Sequence, residues 1–189
     1  MAEDSIQPPI EFETPRLRLR QWQGSDLAPF AALAADPLVM EFLLPLPTRA
    51  ASDALAARIR ARIAEQGWGF WAVEHKASGE FAGFTGLNVP LAALPFSPCV
   101  EIGWRFARKW WGQGLATEAA HAALQVGFER LGFDEIVAFT ALGNLRSAAV
   151  MERLGMREDL DGAFDHPAVP EGHALRRHRL YSIARPKQG

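Results

Sequence analysis

One cysteine, Cys99, stands in 189 residues. A lone cysteine closes no internal disulfide, so nothing in the composition asks for an oxidising compartment. It precedes an apolar strand pattern, the setting of a structural thiol rather than a reactive one. An excess of either charge is also missing, with 20 Lys and Arg against 22 Asp and Glu. Such a balance gives no general electrostatic reason to bind nucleic acid or an anionic membrane. No apolar run reaches the ~18 residues of a membrane span, and the acidic, proline-bearing start is unlike a signal peptide. The expectation is a cytoplasmic chain with neither nucleic acid nor membrane as partner. The five histidines show no His-x-x-x-His spacing, so no metal site is expected either.

What remains is an ordinary globular composition, long enough to bury one core. Residues 1–12 carry little pattern and read as a flexible tail, residues 13–183 as a single domain, and residues 184–189 as a second tail. Glu13 to Trp22 alternates apolar with basic, the period of a half-buried strand. Ser25-Asp26 opens a short helix that Asp36-Pro37 stops, and Thr48 caps a second helix that ends at Gly67. Three strands follow, Gly69 to Glu74, Phe81 to Asn88 and Val100 to Phe106, with a turn at Ser78-Gly79 and a proline-rich loop over 90–98. A helix from Leu115 to Leu131, a strand over Glu135–Thr140 and a helix capped by Asn144 come next. The stretch from Arg157 reads as irregular until a last strand at His178–Ile183. This order predicts an α/β (mixed α+β) fold, a mixed, mostly antiparallel sheet with helices on both faces.

The chain is organised around Trp110-Trp111-Gly112-Gln113-Gly114-Leu115-Ala116-Thr117-Glu118. A strand, a glycine-rich turn and a helix start, in that order, make an anion site. The first N–H groups of a helix lack internal partners, and the helix dipole leaves positive potential there. Gly112, Gly114 and the small Ala116 let a phosphate approach the backbone. Leu115-Ala116 stand where a Walker A loop needs Lys-Ser or Lys-Thr, which disfavours that nucleotide site. A dinucleotide turn would follow a first strand and have an acidic residue about twenty positions on, and here that offset lands in helix.

The segment resembles the acyl-CoA-binding motif of the GNAT superfamily of N-acetyltransferases, Gln/Arg-x-x-Gly-x-Gly/Ala. Gly114 and Ala116 fill its small positions, and Trp111 stands where Gln or Arg is usual. Glu-Thr-x-Arg-Leu-x-Leu-Arg from Glu13, Asp-Pro-x-Val-Met from Asp36, and Trp-Gly-x-Gly-x-Ala-Thr-Glu-Ala from Trp111 are similar to the Rim-type branch, the ribosomal-protein N-terminal acetyltransferases and their small-molecule relatives. Asn144-Leu145-Arg146-Ser147, closing at Arg153-Leu154-Gly155-Met156, resembles the family's next helix.

The resemblance implies the acyl-CoA N-acyltransferase fold and acetyl-CoA as co-substrate. An amine would attack the thioester directly in a ternary complex. The backbone of Gly112, Gln113, Gly114, Leu115, Ala116 and Thr117 would cradle the pyrophosphate. Asn144 would contact the pantetheine arm, and a backbone N–H of the strand around Ile102, Gly103 and Trp104 would bond the acetyl oxygen. Asn144 equally reads as a plain helix cap. Glu101 matches the catalytic carboxylate of several relatives and is the candidate base, although a strand glutamate paired with an arginine fits its position as well. A carboxylate with a pKa near 4 needs burial or a relay water to take a proton from an ammonium. Many relatives place a tyrosine acid where Met151 stands here, and Ser147 is the remaining candidate donor to the thiolate. His166 and His173 fall in a segment that lines the acceptor pocket in relatives. Glu41, Asp161, Asp165 and Glu171 give the pocket-forming stretches an acidic cast, which favours cationic amines. The acceptor is a protein N-terminus or a small amine. A non-catalytic acyl-CoA sensor on the same fold is the alternative, and the oligomeric state, a homodimer among the options, is open.

Overall fold

A computed structural model describes residues 8–187. Pro15, which has no N–H to give a ladder, divides the first alternating stretch into β1 (Phe12–Glu13) and β2 (Leu17–Arg20). After them come α1 (Leu27–Ala35) and α2 (Arg49–Gln66), then β3 (Phe70–His75), β4 (Glu80–Asn88) and β5 (Glu101–Phe106). The crossover helix α3 (Leu115–Gln125) leads to β6 (Glu135–Ala141), and α4 (Leu145–Arg153) leads to β7 (Arg157–Asp165) and β8 (Arg177–Ala184). The eight strands form one sheet in the order β1-β2-β3-β4-β5-β6-β8-β7. Every neighbouring pair is antiparallel except β5 and β6.

Side-chain alternation sorts the helices onto two faces. Phe84 packs edge-on against Phe30 of α1, whereas Leu87, three positions on, meets Gly127 just beyond α3. Helices α1 and α2 therefore cover the Phe84 face, and α3 with α4 covers the other. The core is continuous through the sheet and includes Leu17, Leu19, Trp71, Leu87, Leu115, Ile136 and Met151. The helix caps lie where expected. Thr48 Oγ1 accepts from Ala51 N at 3.1 Å, and Asn144 Oδ1 accepts from Ser147 N at 3.2 Å.

The structure corrects the sequence reading in three places. Arg157–Asp165 is a strand, not an irregular stretch. β7 pairs with β8 through a register break between Asp159 and Phe164 that absorbs the Asp161-Gly162 interruption. The ordered chain also extends past 13–183 at both ends. Ile10 bonds Gly67 and Phe12 lies in β1, while Ala184 ends β8 and Arg185 N donates to Asp134 O at 2.7 Å. Of the tails read at 1–12 and 184–189, residues 1–7 and 188–189 lie outside the described residues. Finally, α3 ends at Gln125 and continues as a wider π-turn over Val126–Arg130, which sets Gly127 against Ile136 and Leu87.

Candidate active site

Two parallel neighbours, β5 and β6, run in register only at Glu101 and Val137. Beyond that pair the strands diverge, and from Ile102 onward the edge of β5 that faces β6 has no ladder partner. Both strands lead into helix starts at the same end, α3 after β5 and α4 after β6. The splayed edge, the two helix N-termini and the residues above them form one cleft.

The loop that opens α3 is braced from below. Trp110 is buried and stacks on His75, with ring centroids 4.5 Å apart. Trp111 donates its indole N–H to Phe106 O at 2.9 Å. Both tryptophans thus pack beneath the loop, as expected for large amphipathic rings. Gly114 is the N-cap of α3 at φ +74°, and no side chain caps the helix. The N–H groups that open α3, at Leu115, Ala116 and Thr117, are therefore free to bind an anion.

Glu118, in the first turn, does more than complement the dipole. Its carboxylate accepts from Thr14 Oγ1 at 2.5 Å, Arg16 N at 3.0 Å and Arg16 Nε at 2.6 Å. Arg16 Nη1 in turn donates to Gln113 O at 2.9 Å. Partial burial alone would push this carboxyl up, but the Thr14 and Arg16 bonds outweigh it and hold Glu118 below the ordinary value. The β1–β2 link thus straps the loop to the helix. Replacing Glu118 by alanine removes charge-assisted bonds worth about 1–3 kcal/mol. A lower Tm and weaker acetyl-CoA binding are expected in the same variant, by thermal melts and calorimetry.

On the α1 face of the sheet, Glu101 lies opposite Asn88 and accepts its Nδ2–H at 2.7 Å. Burial pushes the Glu101 carboxyl up, against the smaller lowering by that bond. No arginine pairs with it among the described residues, so the ion-paired reading fails. Gly103, next on this face, leaves room for Phe70, whose ring would lie 3.1 Å from a Cβ there. Trp104 and Ile102 face the other side with Thr85 and Leu87. Cys99 is half-buried, and burial with the nearby Glu101 charge raises its thiol.

Phe139 continues the Glu101 face on β6 and joins Phe96, Phe164, His166 and His178 in one cluster. The Phe96–Phe164 rings are 5.0 Å apart and those of His166 and His178 also 5.0 Å. Burial lowers both histidine pKa values, and the neighbouring His178 adds to the effect on His166. His178 was not singled out in the sequence, because a histidine within a strand pattern carries no motif. His173 is exposed and only bonds its own turn, accepting from Leu175 N at 3.1 Å.

Asn144 and Ser147 open α4 together, and Asn144 Nδ2 donates to Thr140 Oγ1 at 2.9 Å. Met151, one turn further, is buried in the core. The chain's single tyrosine, Tyr181, is on β8 and donates its hydroxyl to Glu158 at 3.1 Å, so no tyrosine stands in for Met151. The 36–43 segment reaches across to α4, where Arg146 donates to Leu38 O at 3.3 Å and Glu41 Oε2 at 2.7 Å and covers the Trp111 ring at 4.7 Å.

Of the four acidic residues in the pocket stretches, two are neutralised by neighbours, while Asp161 and Glu171 make no ion pair among the described residues. Glu41 is paired with Arg146, and Asp165 with Arg176 and Arg177. An unpaired positive charge also lies on the Glu101 face. Arg105, two residues past Gly103, lies over the Phe84 ring at 5.3 Å. Its Nη1 is sealed from solvent and bonds nothing among the described residues. Burial alone pulls its pKa down to about 10. Among the described residues no group of three or more His, Cys, Asp and Glu side chains could hold a metal.

Comparison with known proteins places this arrangement. The acetyltransferase (GNAT) domain model matches residues 16–157. YkkB of Bacillus subtilis, described as uncharacterized, is 35% identical over 144 residues, 76% of this chain and 83% of its own. Among solved structures, a GNAT-family acetyltransferase from Bacillus anthracis superposes with a TM-score of 0.75 at 23% identity, over 93% of this chain and 99% of that one. The ribosomal L7/L12 alpha-N-protein acetyltransferase RimL, solved with coenzyme A, shares the fold with a TM-score of 0.72 at 16% identity, over 93% and 98% of the two chains. The fold is shared with these solved acetyltransferases, and the chain belongs to the GNAT acetyltransferase family.

Proposed function

We propose that this acetyltransferase moves the acetyl group of acetyl-CoA to a primary amine by direct attack in a ternary complex. The observation that carries the reading is the uncapped start of α3 behind Gly114, at the end of a β5 edge that has no ladder partner. The pyrophosphate fits the N–H groups from Gly112, Gln113 and Gly114 through Leu115, Ala116 and Thr117. The pantetheine arm runs along the free edge at Ile102, Gly103 and Trp104 to Asn144, and one of those backbone N–H groups polarises the thioester carbonyl.

Glu101, raised by burial, is suited to take the ammonium proton directly or through a water. The neutral amine attacks the carbonyl carbon, the C–S bond breaks as the amide forms, and the nitrogen's surplus proton is released through Ser147 or solvent, replacing the one the thiolate takes. The departing thiolate takes its proton from Ser147 or from solvent, since a thiol near pKa 8.5 is already a tolerable leaving group. Holding donor and acceptor in line supplies much of the acceleration. All these residues come from one chain, so the reading requires no second subunit. It needs neither nucleic acid nor a membrane, and a cytoplasmic supply of acetyl-CoA suffices; no helix is long and apolar enough to cross a membrane among the described residues.

Met151 at the tyrosine position favours one competing reading, a protein that binds acyl-CoA without turnover. Calorimetry with acetyl-CoA, followed by thiol release across a panel of amines, separates the two. Saturable binding with amine-dependent release is expected. Binding without release from any amine would leave the sensor, and no binding by folded protein would remove both.

A further inference from the structure

Four side-chain atoms are buried without a partner among the described residues: Ser52 Oγ, Arg105 Nη1, Trp110 Nε1 and Arg179 Nε. Arg179 still lies 3.6 Å from Glu158, and Ser52 and Trp110 are neutral. Arg105 is a full charge with no counter-ion. Sealing one nitrogen of a guanidinium from water is costly unless something pairs it, and its position over Phe84 offsets only part of that cost.

The surrounding carboxylates are all engaged elsewhere. Asp36 is held by Arg108, Glu80 by Lys109, Glu41 by Arg146, Glu74 by Arg18 and Arg20, and Asp26 by Arg20. Glu101 is four residues away on the same strand and bonded to Asn88. Arg105 thus has no ion-pair partner among the described residues and can answer an outside anion. Arg105 shares the face of Glu101 and Gly103 and lies over Phe84, which packs on Phe30 of α1. Two residues of strand span about 7 Å, so an anion at Arg105 lies within one small molecule's length of an acyl carbon held at Gly103.

We propose that Arg105 is a carboxylate-binding subsite of the reaction cleft, so that one substrate is a small acid. The planar fork of its guanidinium matches a carboxylate. The carboxylate enters either on the amine acceptor, making it an amino acid, or at the far end of the acyl group. The proposal rests on the transferase reading for what the carboxylate is attached to. Its binding test does not depend on turnover.

The protein saturated with CoA is titrated by calorimetry with N-acetylglycine and N-acetyl-β-alanine, each against its primary amide. Succinyl-CoA is compared with acetyl-CoA on free protein. At least tenfold tighter binding of the carboxylate member in one comparison is expected, with the preference erased in R105Q and partly kept in R105K. A preference in the first set assigns the carboxylate to the acceptor, and one in the second to the acyl chain. R105Q, relieved of an unpaired charge, is expected to melt no lower than wild type. Equal binding throughout, or a preference that survives in R105Q, overturns the subsite. Failure of every amine to release thiol would sink the transferase reading while these binding ratios still decide the role of Arg105.

Discussion

Acetyl-CoA binding falls at least a hundredfold when Gly114 is replaced by glutamate, while the protein stays folded. Gly114 sits at φ +74° as the N-cap of α3, a conformation that costs a side-chain-bearing residue about 1–2 kcal/mol. A Cβ there meets nothing closer than Arg16 Nη2, at 3.7 Å, so space is not the obstacle. The new carboxylate would lie at the positive end of the helix, where the pyrophosphate must bind, and two anions cannot share that site. Calorimetry should show the loss, with a Tm lowered by only a few degrees. Gly114→Ala supplies the backbone strain without the charge and should bind with an intermediate affinity. Unchanged affinity in the glutamate variant would move the phosphate site away from α3.

Glu101→Gln should cost about 10²–10³ in kcat, the usual range for losing a positioned general base, and should also alter the pH profile. Burial raises the wild-type carboxyl, so its charged form appears only as the pH climbs past the ordinary carboxylate range. The rate should rise with pH through that higher value, and the limb should vanish in the variant. Stability should move the opposite way. Between the unfolded carboxyl value near 4.5 and the raised folded one, the folded protein holds a proton that the unfolded chain has lost. Wild-type stability therefore declines as the pH rises across that window and stays low above it. The substituted glutamine keeps an acceptor for Asn88 and has no charge to desolvate, so the variant should melt higher than wild type at neutral pH. A variant that is less active and more stable would mark a base. One that is less stable with an unchanged pH profile would mark a packing residue.

Local rules suffice to read the elements around the proposed site from the sequence. Asn144, Thr48 and Gly114 announce helix starts because capping is a matter of adjacent residues. The β5 strand and its glycine turn point to the proposed anion site for the same reason. The residues that escaped depend on distant partners. Glu118 looks like a solvated helix carboxylate until Thr14 and Arg16 arrive beside it. Arg105 alternates with apolar neighbours and so reads as a solvent-facing strand position, although its Nη1 is sealed from solvent and its guanidinium lies over Phe84. β7 was missed because Asp159, Asp161 and Gly162 interrupt its period, and only β8 supplies the register that makes it a strand. Glu41 and Asp165 suggested a negative pocket because sequence counts charges without showing which arginine answers each.

The strap from Thr14 and Arg16 to Glu118 also has a meaning in time. Its two ends lie 102 residues apart at the Arg16 N–H, so a ribosome adding about 5–20 residues per second makes one end roughly 5–20 s before the other. During that interval β2 can find no helix to tie, and α3 cannot have its first turn secured until it has itself left the exit tunnel. The cofactor loop is thus among the later parts of the molecule to take shape during synthesis. A nascent chain halted before Glu118 has an N-terminal arm still waiting for its anchor.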